Sequence, residues 1–228
     1  MTAEKIVFSF CLFGSTLKYT EGAIINANMI NTRFPTARTH IYTADDVPTD
    51  IVHRLQAIPS VRIISVARLR ERQNTLDRFM AIDDSECDVM FSRDADSRVN
   101  ERDAACIDEF LLSDKLLHII RDHKNHNLPL MAGMWGIRKA ALDTPMRVLM
   151  DTWKSRHDYS RYGGDQDFLR DVIYPKFCSN ALIHDPNHHF SYEKNVHPIH
   201  SPMINNEYIH GFIGNVYDII DGKEKTVF

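Results

Sequence analysis

The sequence predicts an α/β fold, a mostly parallel central sheet flanked by helices, and three observations predict it. Apolar runs of strand length alternate with segments of helical period through the first two-thirds of the chain, the pattern of parallel strands joined by crossover helices. Two of these strands run directly into charged clusters, Arg93-Asp94-Ala95-Asp96-Ser97-Arg98 and Arg121-Asp122-His123. In open α/β sheets the C-terminal ends of the strands border the ligand crevice. Beyond Cys178 the chain is rich in His, Asn and Pro, so a single short strand and an irregular C-terminal tail are expected there.

The first strand is Ile6 to Leu12, rich in Val, Phe and Ile. Glu21 to Thr32 places Ala23, Ile24, Ala27 and Ile30 at helical spacing, and Pro35 stops that helix. His40 to Thr43 reads as the second strand. Val47-Pro48-Thr49-Asp50 starts a helix through Ile51, Leu55 and Ile58, and Pro59-Ser60 breaks into a third strand, Val61 to Val66. Leu76, Phe79 and Met80 mark another helix. Asp88 to Ser92 is the fourth strand, followed by a helix with Ala105, Ile107, Phe110 and Leu111 apolar, and Leu116 to Ile120 is the fifth. Leu130 to Ile137 mixes small, apolar and Trp residues. A helix spans Thr144 to Ser155, and Gly163-Gly164 precedes one that buries Phe168, Leu169, Val172 and Ile173. Ala181 to His184 is the tail's short strand.

Composition narrows the function. The 228 residues carry 31 Asp+Glu against 27 Lys+Arg, a formal charge of -4, which argues against a dedicated nucleic-acid binder. Hydrophobic residues at 43% and charged residues at 25% exclude a disordered or fibrous chain. One domain, 1–228, is expected. The four cysteines are far apart and form no Cys-x-x-Cys, so neither a zinc ribbon nor a disulfide scaffold is indicated, and a reducing compartment fits. Glu4 spoils the basic region a signal peptide needs, so Ile6 to Phe13 reads as a buried strand. No run reaches the roughly 18 apolar residues that span a bilayer, and a cytoplasmic protein is expected.

Asp94 and Asp96, two residues apart at a strand end, can bring their carboxylates into one small volume, where they repel unless a proton or cation intervenes. All-oxygen ligation suits Mg²⁺ or Mn²⁺, which keeps positions open for phosphate oxygens. A solvated acidic turn is the plain alternative. Arg121, Asp122, His123 and His126 form a cluster able to hydrogen-bond a sugar, to give half of a zinc site, or to build a structural loop. Gly133, Trp135 and Gly136 place an indole between two glycines, which suits either sugar stacking or a core Trp in tight turns. Gly163, Gly164, Asp165, Gln166 and Asp167 read as a turn entering a helix whose acids complement the dipole or face a ligand.

Arg-Asp-Ala-Asp-Ser-Arg, Arg-Asp-His, Gly-x-Trp-Gly and Gly-Asp-Gln, in that order, resemble the nucleotide-sugar glycosyltransferases of the GT-A (Rossmann-like) fold, whose sign is a DxD motif at a strand end. The resemblance runs from Phe8 to Asp167 and is closest to small transferase domains of large DNA viruses and bacteria. It implies a nucleotide-binding half at about 1–100 and a donor-sugar and acceptor half at about 101–228. It implies that Asp94 and Asp96 hold Mn²⁺ or Mg²⁺ on the diphosphate of a nucleotide sugar, with His184, His200 or His210 as third ligand and His189 and His197 also in competition. Phe10, Leu12, Gly14, Tyr19, Arg78 and Asp94 would bind the nucleotide. Arg121, Asp122, His123, Gly133, Trp135, Gly136 and Gly164 would meet the donor sugar or acceptor, with Asp165, Gln166 and Asp122 nearest the chemistry and Arg98 or Arg121 adding positive charge. The implied activity is sugar transfer from a UDP-sugar to a glycan or other hydroxyl acceptor, with retention. A haloacid-dehalogenase-type phosphatase, which also carries Asp-x-Asp after a hydrophobic strand, and a silent nucleotide-sugar-binding protein are the alternatives.

Overall fold

A computed structural model describes residues 4–68, 73–199, 203–204, 207–208 and 211–227. Eight strands make one sheet: β1 (Ile6–Leu12), β2 (Arg38–Ala44), β3 (Val61–Val66), β4 (Val89–Arg93), β5 (Leu117–Ile120), β6 (Met134–Arg138), β7 (Ala181–His184) and β8 (Val196–His197). Their order is β3-β2-β1-β4-β6-β5-β7-β8, and only β6 runs antiparallel to its neighbours. The helices are α1 (Leu17–Arg33), α2 (Thr49–Gln56), α3 (Glu101–Leu112), α4 (Met146–Lys154), α5 (Gly164–Phe168) and α6 (Tyr174–Phe177), with a single π-helical stretch, Leu169–Ile173, between the last two. The segment around Leu76, Phe79 and Met80 forms a 3-10 helix, Gln73–Asp83, in place of the ordinary helix expected.

Strand alternation sorts the apolar residues into two layers. Phe8, Phe10 and Leu12 of β1 pack with Ala27 and Ile30 of α1, Leu55 of α2 and Phe110 of α3 on one face. Val7 of β1 and Met90 of β4 join Phe79, Trp135, Met150 and Phe168 on the other. Helix starts follow local chemistry as well. The Asn100 side chain caps α3 by accepting from Asp103 N at 3.0 Å, and Glu101 and Asp103 in the first turn complement the helix dipole.

Strand β6 is the central departure from the expected pattern, since Leu130 to Ile137 carries no strand signal. Gly136 explains how it fits: it lies opposite Phe91, and a Cβ there would stand 2.5 Å from Phe91 Cδ1 and 2.9 Å from Met90 O. Trp135, wholly buried, meets Phe79 edge-on at 5.2 Å between ring centres. Burying an indole of about 200 Å² stabilises the fold by roughly 5 kcal/mol in simple area terms.

The tail is more regular than expected. Beyond β7 and β8 it holds a two-stranded pair, β9 (Met203–Ile204) and β10 (Glu207–Tyr208), and an antiparallel hairpin, β11 (Val216–Ile220) and β12 (Lys223–Val227), whose β11 lies against α1. Asp221 and Gly222 turn the hairpin with φ of 53° and 70°, the left-handed pair that a tight hairpin turn demands. No helix among the described residues is long and apolar enough to cross a membrane.

Gly136→Ala is expected to destabilise the protein by about 1–3 kcal/mol, because the new methyl meets Phe91 and backbone that cannot move aside. Chemical denaturation measures it, and wild-type stability would contradict this seating of β6.

Candidate active site

A cleft of about 560 Å³ opens at the C-terminal ends of β1 and β4. Arg78, only 3% exposed, forms its floor. Its carbonyl accepts from Ser9 Oγ of β1 at 2.6 Å, which anchors the 3-10 segment to the sheet. Its guanidinium donates to Asp94 Oδ1, to the carbonyl of Arg93 at 3.2 Å and to Asp165 Oδ2 at 3.0 Å. Burial alone would lower the Arg78 pKa, but Asp94 and Asp165 outweigh it and raise it above the ordinary value. Arg78 therefore stays a cation and joins the strand-end acid to the acid of α5.

Asp94 and Asp96 both line the cleft, as expected from the sequence. Asp94 lies over Gly133, where a Cβ would stand 2.0 Å from Asp94 Oδ2. Gly133 thus serves the carboxylate by close approach. Asp96 has Lys18 Nζ at 3.5 Å as its counter-charge. Burial, then the neighbouring Asp94, push the Asp96 carboxyl up, and burial does the same to Asp165 despite Arg78. Asp165 Oδ1 accepts from Gln166 N at 2.9 Å, and Gln166 Oε1 accepts from Ala132 N at 3.0 Å, so α5 is locked onto the strand leading into β6.

The acidic loop has a support that the sequence reading missed. Asn26, fully buried on α1, donates through Nδ2 to Ser97 O at 2.8 Å and Ala95 O at 3.3 Å, and its Oδ1 accepts from Val99 N at 2.9 Å. The signal was present, an amide on the apolar face made by Ala23, Ala27 and Ile30. Gly22 permits the approach, since a Cβ there would be 2.1 Å from Ala95 O.

Other expected residues lie elsewhere. On β1 the parity is reversed: Phe10 and Leu12 are buried under the helices, and Cys11 and Phe13 line the cleft. Burial pushes the Cys11 thiol up to about 12, which disfavours the thiolate. Tyr19 lines the cleft, and Gly14, at φ 73°, makes the turn after β1 and donates to Asp46 Oδ1 at 2.8 Å. Trp135 is inside the core and offers no face to a sugar, and Gly136 lies under Phe91. Arg121 is spent on Asp185 Oδ2 at 2.9 Å, Pro129 O at 2.6 Å and Glu193, and Asp122 takes Arg102 Nη2 at 2.6 Å and Ile213 N at 2.9 Å. Neither lines the cleft; both are buried structural pairs. His123 stacks on Phe212 at 4.4 Å. Gly164 passes Tyr159 O closely, a Cβ there falling at 2.6 Å, and sets Gly163 and Asp165 on the cleft wall. Arg98 donates to Ala95 O at 3.1 Å and Ser97 O at 2.6 Å, so it holds the loop instead of reaching into the cleft.

No group of three or more His, Cys, Asp and Glu suited to a metal occurs among the described residues. His184 is engaged by His118 at 2.9 Å and Glu109 at 3.1 Å, and His200 and His210 lie outside the described residues. His189 is bonded to Asp185 and His197 to Glu109. Two clustered carboxylates, one with a raised pKa, still fit a hard divalent cation, which takes one or two protein carboxylates and completes its shell with water and phosphate oxygens.

No protein-family model matches the chain, and no curated protein matches its sequence. Solved structures do match. A glycosyltransferase involved in glycosylating the major capsid of PBCV-1 superposes with a TM-score of 0.56 at 14% identity, over 80% of this chain and 82% of that one. The galactosyltransferase LgtC, in complex with donor and acceptor sugar analogs, gives 0.54 at 14% identity, over 79% and 73%. Glucosyl-3-phosphoglycerate synthase from Mycobacterium tuberculosis, in complex with Mn²⁺, UDP and glucosyl-3-phosphoglycerate, gives 0.51 at 12% identity, over 79% and 69%. A 4-diphosphocytidyl-2C-methyl-D-erythritol synthase from Anaerococcus prevotii superposes too, at 0.52 and 10% identity over 79% and 86%. The fold is therefore the GT-A type, an architecture found in glycosyltransferases and also in that synthase.

Two predictions follow from this geometry. Because the Asp96 pKa is raised in the folded protein, its favourable contribution exists below the ordinary carboxylate pKa and is lost as pH rises through the raised value. Asp96→Asn should then raise the Tm of the metal-free protein at pH 7, with the gain shrinking toward about pH 4. A lower Tm at pH 7 would contradict it. Asn26→Ala leaves the buried Val99 N–H without its acceptor and takes away one of the two donors that Ala95 O and Ser97 O share with Arg98, and is expected to destabilise the protein by roughly 1–3 kcal/mol in denaturant titrations.

Proposed function

We propose that the chain is a metal-dependent glycosyltransferase that moves a sugar from a nucleotide-diphosphate sugar, a UDP-sugar above others, to a hydroxyl of a glycan or similar acceptor. The observation that carries this reading is the position of Asp94 and Asp96 at the end of β4, in one cleft with Arg78, Asp165 and Gln166, on a fold of the GT-A type. Mn²⁺ in complex with UDP in the glucosyl-3-phosphoglycerate synthase supports the choice of metal and donor.

Asp94 and Asp96 would hold Mn²⁺ or Mg²⁺, which when bound offsets the charge growing on the departing diphosphate. Arg78 fixes Asp94 and Asp165 relative to each other, so the two walls of the cleft keep one spacing as the donor enters. Tyr19 and Phe13 give the nucleotide side an aromatic lining. Asp165 and Gln166 line the same cleft and would meet the donor sugar and acceptor. Asp165 has one oxygen on Arg78 and the other on Gln166 N, so it is held as a positioning group and not offered as a base. That arrangement favours retention, since a base is needed most clearly for attack from the face opposite the phosphate.

Thermal shift and calorimetry with UDP, GDP, CDP and dTDP, with and without Mn²⁺, test the proposal. UDP with Mn²⁺ at 100 times its dissociation constant should stabilise the protein by about 2.7 kcal/mol, and Asp96→Asn should remove the Mn²⁺-dependent part. Metal-dependent hydrolysis of a UDP-sugar should accompany it. Pyrophosphate release from a nucleoside triphosphate would point instead to nucleotidyl transfer, and phosphate release from a chromogenic ester to a phosphatase. Diphosphate binding with intact Asp94 and Asp96 but no donor turnover would leave a binding protein.

A further inference from the structure

The loop that carries Asp94 and Asp96 is held by two elements. One is α1, which supplies Asn26, as described above. The other is the C-terminal hairpin, whose β11 lies against α1. Tyr217 N, in β11, donates to the backbone carbonyl of Asp96 at 2.8 Å. Arg98 continues the connection: Nη1 holds Ala95 O and Ser97 O, Nε donates to Glu224 Oε1 of β12 at 2.6 Å, and the guanidinium stands 5.0 Å from the centre of the Tyr217 ring. The carbonyls on both sides of Asp96 are thus gripped by one arginine, and that arginine is gripped by the hairpin.

We propose that Glu224, acting through Arg98, is a positioning residue for the cation site, so that the C-terminal hairpin sets how well Asp94 and Asp96 take up a divalent metal. The inference rests on the metal site proposed above. Asp96 is attached to the loop only through its own backbone, and its carbonyl, with those of Ala95 and Ser97, fixes where that backbone runs. A small rotation of the loop changes the separation of two carboxylates that must meet one ion. Arg98 is buried and its Nη1 shares the Ala95 and Ser97 carbonyls with Asn26 Nδ2, so its orientation helps set the carbonyl positions. Glu224 orients Arg98 from the solvent side, with 41% of its own side chain exposed.

Two separate readouts distinguish positioning from mere structural support. Glu224 is 41% exposed but Arg98 only 4%, so loss of the Glu224 carboxylate leaves a buried cation short of a partner and lowers global stability as well. If Glu224 only braced the fold, stability would fall and metal affinity would not.

The experiment compares wild type, Glu224→Ala and Glu224→Gln, which keeps an acceptor oxygen for Arg98. Mn²⁺ binding in the presence of UDP is measured by calorimetry, Tm without metal by calorimetric scan, and hydrogen exchange at the amides of Ser97 and Val99 in the metal-free protein. Glu224→Ala should weaken Mn²⁺ about tenfold and speed exchange at both amides, with a fall in Tm that leaves the protein folded at the temperature of the binding measurement. Glu224→Gln should restore most of the affinity. A Mn²⁺ dissociation constant within twofold of wild type and unchanged exchange at Ser97 and Val99 overturn the proposal while leaving the transferase reading standing. Faster exchange in Glu224→Ala, together with a wild type that takes up no Mn²⁺, overturns the metal site and with it Glu224's role toward it, leaving only a hairpin that orders the loop.

Discussion

Burial of the Arg78 guanidinium is the constraint on which the site depends. A cation taken out of water needs its charge answered, and here the two Nη groups meet the carbonyl ending β4 and the carboxylate of Asp94 next to it, and the carboxylate of Asp165, while the buried Nε finds no partner among the described residues. Removing one partner of a buried pair typically costs about 3–5 kcal/mol, so these segments move together or not at all. Asp94 and Asp165 are 71 positions apart in sequence, 165 less 94, and Arg78 makes them neighbours. The floor of the cleft is therefore a rigid electrostatic joint, with softer loops around it.

This joint also explains where carboxylates remain costly. Asp96 and Asp165 are pushed up chiefly by burial, which disfavours their charged forms. A divalent cation would relieve the first, while the second is already half answered by Arg78. Farther from the cleft, Arg93 pairs with Asp103, Arg102 with Asp122, and Arg121 with Asp185 and Glu193, all of them buried. They secure the ends of β4 and β5 and leave the chemistry to the acids of the cleft.

Much of this was legible in the sequence, for physical reasons that also mark the limits. β1 and β7 begin and end where their hydrophobic runs do, because strands buried on both faces are continuous apolar runs, and β3, a partly exposed edge strand, begins where Pro59-Ser60 breaks the preceding helix. β6 was not legible. Its glycine carries no strand propensity, and the need for it comes from Phe91 on a neighbouring strand. The hairpin of β11 and β12 was missed although Asp221-Gly222 is a strong local turn signal. At the site, alternation showed that Phe10 and Leu12 share a face but not that Cys11 and Phe13 own the cleft. Arg121 and Asp122 looked like ligand-binding residues because their partners, Asp185, Glu193 and Arg102, are distant in sequence. The Asp94 and Asp96 pair was legible because a strand end, unlike a pairing partner, is a local property.

The contact between Arg98 and Glu224 joins positions 126 residues apart, across most of the sheet's sequence. A chain is made from its N-terminus, and domains fold as their parts emerge. The acidic loop leaves the ribosome early, β5, β6 and β7 follow, and only then does β12 arrive to brace it. Until β12 has been made the loop lacks this contact, so any chain that stops short of β12 carries both aspartates on a loop that Asn26 and an Arg98 without Glu224 must hold.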